Sequence, residues 1–364
     1  MTISEIETPA ILIDLDIMEN NLRRVADYAR EHDLRLRPHT KTHKIPELGR
    51  RQVELGAVGL TVAKVGEAEV MLSSGTPDLL VAYPVVGRGK LERLIEVARR
   101  TRVTVALDSL FAARQLSDAA RAAQVSVGVL AEVDVGMGRV GVAPGDELAQ
   151  LILGLERLPW VTFEGVTFYP GHIRDAGQEG EEQIGKLSAL VEAMLAHLRK
   201  RGIQPKIVSG GSTPSLFHSH KVAGLTEIRP GTYIFYDKNT VTSGACTYQD
   251  CAASIHVTVV STARPGQIII DGGSKTFSSD RLGAAGEATF GYFVDAPEAV
   301  FHKMNEEHGY VDIRRCRREF AVGDRLRVIP NHICVAMNLH ERVYGVRGGR
   351  VEQVWKVEGR GKLQ

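Results

Sequence analysis

The chain has little cysteine: Cys246, Cys251, Cys316 and Cys334 are the only four among 364 residues. None forms a Cys-x-x-Cys pair and they are too scattered for a disulfide framework, so a reducing compartment is the simpler expectation. No apolar run approaches the roughly 20 residues that a membrane helix needs. The opening residues, Met1 to Glu7, are acidic and carry no signal-peptide core. Together these absences set the expectation of a cytoplasmic protein. Charge of one sign is also missing. Lys and Arg number 45 against 44 Asp and Glu, a net charge of +1, which argues against a nucleic-acid or anionic-membrane surface. There is no tandem repeat, low-complexity tract or linker.

What is present is a regular alternation. After a buried strand at 10–16 and an amphipathic helix at 17–32, apolar runs fall at 34–41, 58–64, 78–85, 103–108, 125–136, 161–171, 205–210 and 225–235. Helical stretches at 65–74, 88–101, 109–123, 145–157 and 179–202 lie between them. Near-continuous apolar strands alternating with helices predict a parallel sheet covered by helices, and about eight units fit a (β/α)8 barrel of the TIM type. A doubly wound sheet is the competing fold, but it wants a Gly-rich turn after its first strand, and none is there. Near residue 237 the pattern changes to short strands at 255–261, 267–271, 325–329 and 343–346, punctuated by Gly and Pro. The expected fold class is α/β: a barrel over 10–236, then an all-β domain over 237–364 with which residues 1–9 pack.

Several stretches carry candidate chemistry. In Arg35-Leu36-Arg37-Pro38-His39-Thr40-Lys41, residues two apart share a strand face, which puts Arg35, Arg37, His39 and Lys41 together. Such a face is either a wet edge or a site. A helix starting at 42–46 places Lys41 at the C-terminal mouth of a strand, where barrels keep their chemistry. Crowded cations and partial burial lower a lysine pKa and make the amine a nucleophile suited to a Schiff base. Lys64, which also ends a strand, and Lys44, expected to point away, are the rivals. The turn Asp134 to Gly141 presents Arg139, as a mouth cation or a plain surface arginine. Ser209-Gly210-Gly211-Ser212-Thr213-Pro214-Ser215 follows a late strand, where backbone N–H groups and small hydroxyls make a phosphate cradle. Gly231, Thr232 and Tyr233 after the next strand supply its other half. His172, in Tyr169-Pro170-Gly171-His172, is an acid/base candidate. In Pro330-Asn331-His332-Ile333-Cys334, His332 and Cys334 share a strand face. They suit a borderline-soft divalent metal with open positions, or else a buried cysteine beside a hydrogen-bonded histidine. Glu306, Glu307 and His308 read equally as catalytic or as a solvated turn.

Taken together, these residues resemble the fold-type III pyridoxal-phosphate enzymes, the alanine-racemase-like group, and within it the D-threonine aldolase and D-serine dehydratase family. The resemblance spans nearly the whole chain. It is most specific at 37–44, Gly138-Arg139-Val140-Gly141, Glu306-Glu307-His308-Gly309 and 330–334. It implies that Lys41 carries pyridoxal 5'-phosphate, with Arg37 and His39 as support for the cofactor and Arg139 near the phenolic oxygen. It places Gly211, Ser212, Thr213, Gly231, Thr232 and Tyr233 around the phosphate and Arg229 at the pyridine nitrogen. Tyr169 and His172 line the substrate side, and His332 and Cys334 bind a divalent metal (Mn2+, Zn2+ or Mg2+). It further implies a homodimer acting on a small-molecule D-amino acid.

A metal pair argues against a racemase, which needs neither metal nor β-hydroxyl. Two lyase outcomes remain: retro-aldol cleavage to glycine and an aldehyde, or dehydration of D-serine or 3-hydroxyaspartate to a 2-oxo acid and ammonia. The cysteine in the metal pair pulls toward dehydration. The context from Pro330 through Tyr344, without extra insertions, pulls toward the aldolases. The expectation is a D-threonine-aldolase-like lyase, with a non-enzymatic pyridoxal-phosphate-binding protein as the reading from another class.

Overall fold

A computed structural model of the chain describes residues 1–283 and 289–364. They form two compact units, one of Met1–Leu22, Thr42–Lys44 and Thr232–Arg360, the other of Arg23–Lys41, Ile45–Gly231 and Gly361–Gln364. The first strand, β1 (Ala10–Asp14), belongs to the former.

The second unit is a barrel. Its strands are β2 (Arg35–Leu36), β3 (Leu60–Val62), β4 (Asp78–Val81), β5 (Arg102–Leu107), β6 (Val127–Val133), β7 (Val161–Phe168), β8 (Ile207–Gly210) and β9 (Glu227–Ile228). They are parallel in the order β2-β9-β8-β7-β6-β5-β4-β3. His39 bridges Thr61 in parallel, and the Val58 and Thr61 amides donate to the carbonyls of Leu36 and Pro38, which closes the sheet. Every residue of β4 and β6 is buried, because such strands face apolar matter on both sides. Outward, Leu79, Val105, Val129 and Val166 join helix residues Leu94, Leu116, Ile152 and Val191 in one core. Inward, Leu80, Leu130 and Ile207 come from alternate strands and make one layer of the filled interior.

The interior also holds a buried ion-pair cluster. Arg37 is 4% exposed, with Nε 3.0 Å from Glu227 Oε2 and Nη1 2.8 Å from Asp78 Oδ1. Ser209 Oγ donates to the other oxygen of Glu227 at 2.7 Å. Gly59 makes room, since a Cβ there would stand 2.5 Å from Arg37 Nη1. Arg37 is thus an internal strut of the barrel, and support for a cofactor is not what its contacts provide.

The other unit is built on β10 (Ala253–Arg264), which pairs antiparallel with β1, β11 (Gln267–Ile270) and β15 (Arg325–Pro330). Strands β12 (Gly291–Phe293), β13 (Val300–Met304), β14 (Gly309–Asp312), β16 (Arg342–Arg347) and β17 (Arg350–Lys356) complete a sheet of nine strands among the described residues. β1 runs parallel to β16. The bounds 10–236 and 237–364 therefore shift: 10–22, 42–44 and 232–236 go with the β unit. Backbone partners decide this, and an apolar run such as Ala10-Ile11-Leu12-Ile13 does not reveal which sheet will supply them.

Two outcomes follow from these contacts. Arg37→Met leaves Glu227, which is fully buried, without its cation, and Asp78 with only Arg102 at 3.7 Å. Denaturant unfolding should show a loss of about 3–5 kcal/mol; a loss below about 1 kcal/mol would mean the strut is dispensable. His256, on β10, is buried, and its imidazole is pushed down to about 4 by burial first and by Arg327 next. The folded group stays neutral while the unfolded one takes a proton below its ordinary range. Its effect on stability is thus absent above about pH 6.5 and grows as pH falls toward 4, reaching about 3 kcal/mol of destabilisation. His256→Gln should flatten the pH dependence of unfolding free energy across that window.

Candidate active site

The barrel unit gathers its candidate residues around the ring of Tyr169, just past the end of β7. Lys41 Nζ lies 6.0 Å from the ring centroid and the Arg139 guanidinium 5.0 Å from it. Lys41 is exposed and sits on a single 3-10 turn, Thr40–Thr42, not on a strand face. The alternation of Arg35, Arg37 and His39 holds, because their amides donate in turn to Thr226, Ile228 and Pro230. It stops before the lysine. Lys64 caps the helix Val65–Met71 and lies over Tyr83 at 3.6 Å. Lys44 is buried in the β unit with Nζ 2.7 Å from Asn338 Oδ1.

Loop geometry sets this cluster. Asp134 Oδ1 accepts the amides of Gly136, Met137 and Gly138, which holds its carboxyl below the usual range, Gly138 contributing most. Gly141, at φ +107°, packs onto the backbone of Val133 and Asp134, where a Cβ has no room. The loop carrying Arg139 is therefore pinned at both ends. The Tyr169 ring lies against Gly171, and a Cβ there would collide with it. His172 is exposed beside the same loop, 3.4 Å from where a Cβ of Gly136 would stand.

After β8, Gly211 adopts φ +100°, a conformation that favours glycine, and turns the chain into buried Ser212 and Thr213. Ser212 and Ser215 hydroxyls are 3.0 Å apart. The helix expected here is a short 3-10 segment, Leu216–Lys221. Gly231 ends the barrel segment after Pro230, and Thr232 and Tyr233 begin a second 3-10 turn, Thr232–Ile234, with Tyr233 buried.

Three buried polar atoms at the C-terminal ends of barrel strands have no hydrogen-bond partner among the described residues: Glu132 Oε2, Thr167 Oγ1 and Arg229 Nε. Arg229 Nη2 donates to Phe168 O at 2.9 Å, next to Tyr169. Burial pushes the Glu132 carboxyl up against the pull of Arg229 and Arg139, and burial pulls the Arg229 guanidinium down. Native proteins rarely leave such groups unsatisfied without a ligand, water or functional reason. An amine, two cations, a hydroxyl-lined turn and uncommitted donors fit pyridoxal phosphate.

The β unit carries the other group. His332 is the N-cap of the helix Ile333–Leu339 and Cys334 lies in its first turn, so the pair sits at a helix start and not along one strand face. His332 Nδ1 is 3.2 Å from Asp237 Oδ2. Cys334 Sγ is 3.2 Å from Thr42 Oγ1 and 3.7 Å from Thr232 Oγ1. The Cys334 thiolate, aided by Asp237, pushes His332 up to about 11, so an incoming metal displaces a proton. Among the described residues no group of three or more His, Cys, Asp or Glu is placed to hold a metal. The donor pair itself is of the kind that binds zinc-like ions, with the remaining positions left to water or substrate. Glu306 and Glu307 both pair with Lys275, at 2.9 and 2.8 Å, on an exposed turn between β13 and β14.

Sequence reasoning missed Asp237, Glu132 and Thr167. Asp237 was detectable as an N-cap, since Thr240 three residues on completes a capping box; its second partner, His332, was not.

Comparison with known proteins agrees along the whole chain. The model of the alanine racemase N-terminal domain matches residues 13–239, and that of a putative serine dehydratase domain matches 252–346. The chain is 32% identical over 364 residues to a D-threonine aldolase of Arthrobacter sp., covering 99% of this chain and 94% of that protein. It is 32% identical over 356 residues to a D-threo-3-hydroxyaspartate dehydratase of Delftia sp. strain HT23, covering 92% of each. The solved D-threonine aldolase of Filomicrobium marinum matches with a TM-score of 0.93 at 31% identity, over 100% of this chain and 98% of that one. The chain therefore belongs to the fold-type III pyridoxal-phosphate enzymes of the alanine-racemase-like group, in the family of D-threonine aldolases and D-serine dehydratases.

Proposed function

We propose that this protein is a pyridoxal-phosphate- and divalent-metal-dependent lyase that cleaves β-hydroxy-D-amino acids, D-threonine foremost, to glycine and an aldehyde. The observation that carries it is the meeting of the Lys41 amine and the Arg139 cation over one aromatic ring, Tyr169, at the barrel mouth. When bound, pyridoxal phosphate supplies an electron sink for a carbanion at the substrate Cα. Lys41 would hold the group, with Ser212, Thr213, Gly211, Gly231, Thr232 and Tyr233 serving its phosphate, Arg229 its ring nitrogen and Arg139 its phenolic oxygen. His332 and Cys334 would hold the metal, which would supply a Lewis acid for the β-hydroxyl. His172, exposed and beside the Arg139 loop, takes the hydroxyl proton as the Cα–Cβ bond breaks. In this reading the protein works as a cytoplasmic homodimer on a free amino acid, without nucleic acid or membrane. No helix among the described residues is long and apolar enough to cross a membrane.

Dehydration is the second reading, favoured by the cysteine in the metal pair and by the equal identity to the Delftia dehydratase. In it Lys41 takes the Cα proton, the β-hydroxyl leaves as water, and hydrolysis of the resulting enamine by one water gives a 2-oxo acid and ammonia.

Purified protein with pyridoxal phosphate and Mn2+ or Zn2+ should release glycine and acetaldehyde from D-threonine, lose that activity in EDTA and regain it on metal addition. Pyruvate from D-serine, with no glycine from D-threonine, would overturn aldol cleavage in favour of dehydration. Lys41→Ala should lose both the visible absorbance band of the attached cofactor and at least 10³-fold in turnover, a deficit expected where the nucleophile itself is removed. A band that survives in this variant would move the assignment to another lysine. A band without turnover of any β-hydroxy-D-amino acid in the unmodified protein would leave a cofactor-binding protein.

A further inference from the structure

Asp237 has no exposure to solvent, yet both of its carboxylate oxygens are engaged. Oδ1 accepts the Thr240 amide at 3.0 Å and the Thr240 hydroxyl at 3.1 Å, the ordinary work of an N-cap for the helix Lys238–Thr242. Oδ2 has nothing to do with that helix. It accepts the amide of Ile333, the first residue of the helix Ile333–Leu339, at 3.1 Å and faces His332 Nδ1 at 3.2 Å. A capping aspartate needs one oxygen for the cap; the second is directed to another element, 95 residues away.

We propose that Asp237 is the positioning residue of the metal-binding histidine, holding His332 with its proton on Nδ1 so that Nε2 is left to coordinate. This rests on the metal reading given above. The hydrogen-bond directions assign the proton. Both oxygens already accept backbone N–H groups, so the oxygen facing His332 is an acceptor and the ring nitrogen opposite it is the donor. A metal ligand must be neutral imidazole, and the neutral form that keeps this bond has its lone pair on Nε2. Carboxylate partners of this kind fix the tautomer and orientation of ligating histidines. The carboxylate cannot swing away, because releasing His332 would also strip the Ile333 and Thr240 amides of their acceptor inside a buried site.

Asp237→Asn is the informative change. An amide offers one acceptor oxygen where two backbone N–H groups require one each. If its NH2 turns toward His332, the ring must present a lone pair at Nδ1, which moves the proton to Nε2. Zn2+ affinity, measured by competition with a chromophoric chelator, should fall 10- to 100-fold, while the absorbance band of pyridoxal phosphate on Lys41 is retained. A variant that binds Zn2+ within twofold of the unmodified protein while its Tm drops would show a purely structural cap and overturn the proposal. His332→Ala separates the two levels: Zn2+ binding unchanged in that variant overturns the metal reading, and this inference with it. If Asp237→Asn does not fold, ¹⁵N-imidazole spectra of the Zn2+-loaded unmodified protein decide. A proton on Nδ1 of His332 is expected, and a proton on Nε2 would sink the idea.

Discussion

The segment 35–39 serves two strands at once, and the barrel depends on it. Amides of Arg35, Arg37 and His39 reach the strand that ends the barrel, while carbonyls of Leu36 and Pro38 receive amides from Val58 and Thr61. Closing a parallel sheet removes its free edges, and here the closing strand is stitched on both sides by alternate residues. Pro38 has no N–H, and its carbonyl is the group that Thr61 uses. The same alternation turns Arg37 inward, where it meets Glu227 and Asp78 from two other strands. Backbone closure and an internal ion pair therefore share five residues. Immediately beyond them the chain leaves the ladder and forms the 3-10 turn that carries Lys41.

Around that lysine, precision comes from glycines more than from rigid side chains. Tyr169 can lie where it does because Gly171 lacks a Cβ, Phe168 packs on Gly210 for the same reason, and Gly141 lets the Arg139 loop close onto β6. Each removes a steric barrier between a backbone and a ring or a neighbouring strand. The Arg229 hydrogen bond to the Phe168 carbonyl then ties the segment after β9 to the end of β7. Three strand ends thus hold one aromatic ring among cations, and Glu132, Thr167 and Arg229, at or just past the ends of the same barrel strands, each keep a buried polar atom without a partner among the described residues.

Much of this was legible in the sequence. Seven of the eight barrel strands fall within the apolar runs read from it, and β5 starts one residue ahead of its run, because strands buried on both faces leave an unbroken signature. The helices followed from their apolar stripes, and the later strands from short alternating runs. What was not legible depends on partners distant in the chain. Ala10-Ile11-Leu12-Ile13 looks like any buried strand, and only its pairing with β10 and β16 assigns it. Arg37 looks like one more cation on a basic face until Asp78 and Glu227 are brought to it. Asp237 looks like a complete capping motif, which hides its second oxygen. Local pattern reports the element; it does not report what the element meets.

The pair His332 and Cys334 shows why that difference matters for chemistry. On a strand, His332 and Cys334 would project side by side without further help. In a regular helix, positions two apart do not face each other. The protein does neither. His332 is extended, at φ −137° and ψ 104°, while the residues after it are helical. That change of conformation within one turn lets the imidazole and the thiol interact. Such a junction is less regular than a strand and needs an external support for the histidine. The Oδ2 atom of Asp237 provides it, by accepting the Ile333 amide that starts the helix and facing the ring that precedes it. Helix start, ring orientation and donor pair are consequently one structural unit, and a change in any of them reaches the other two.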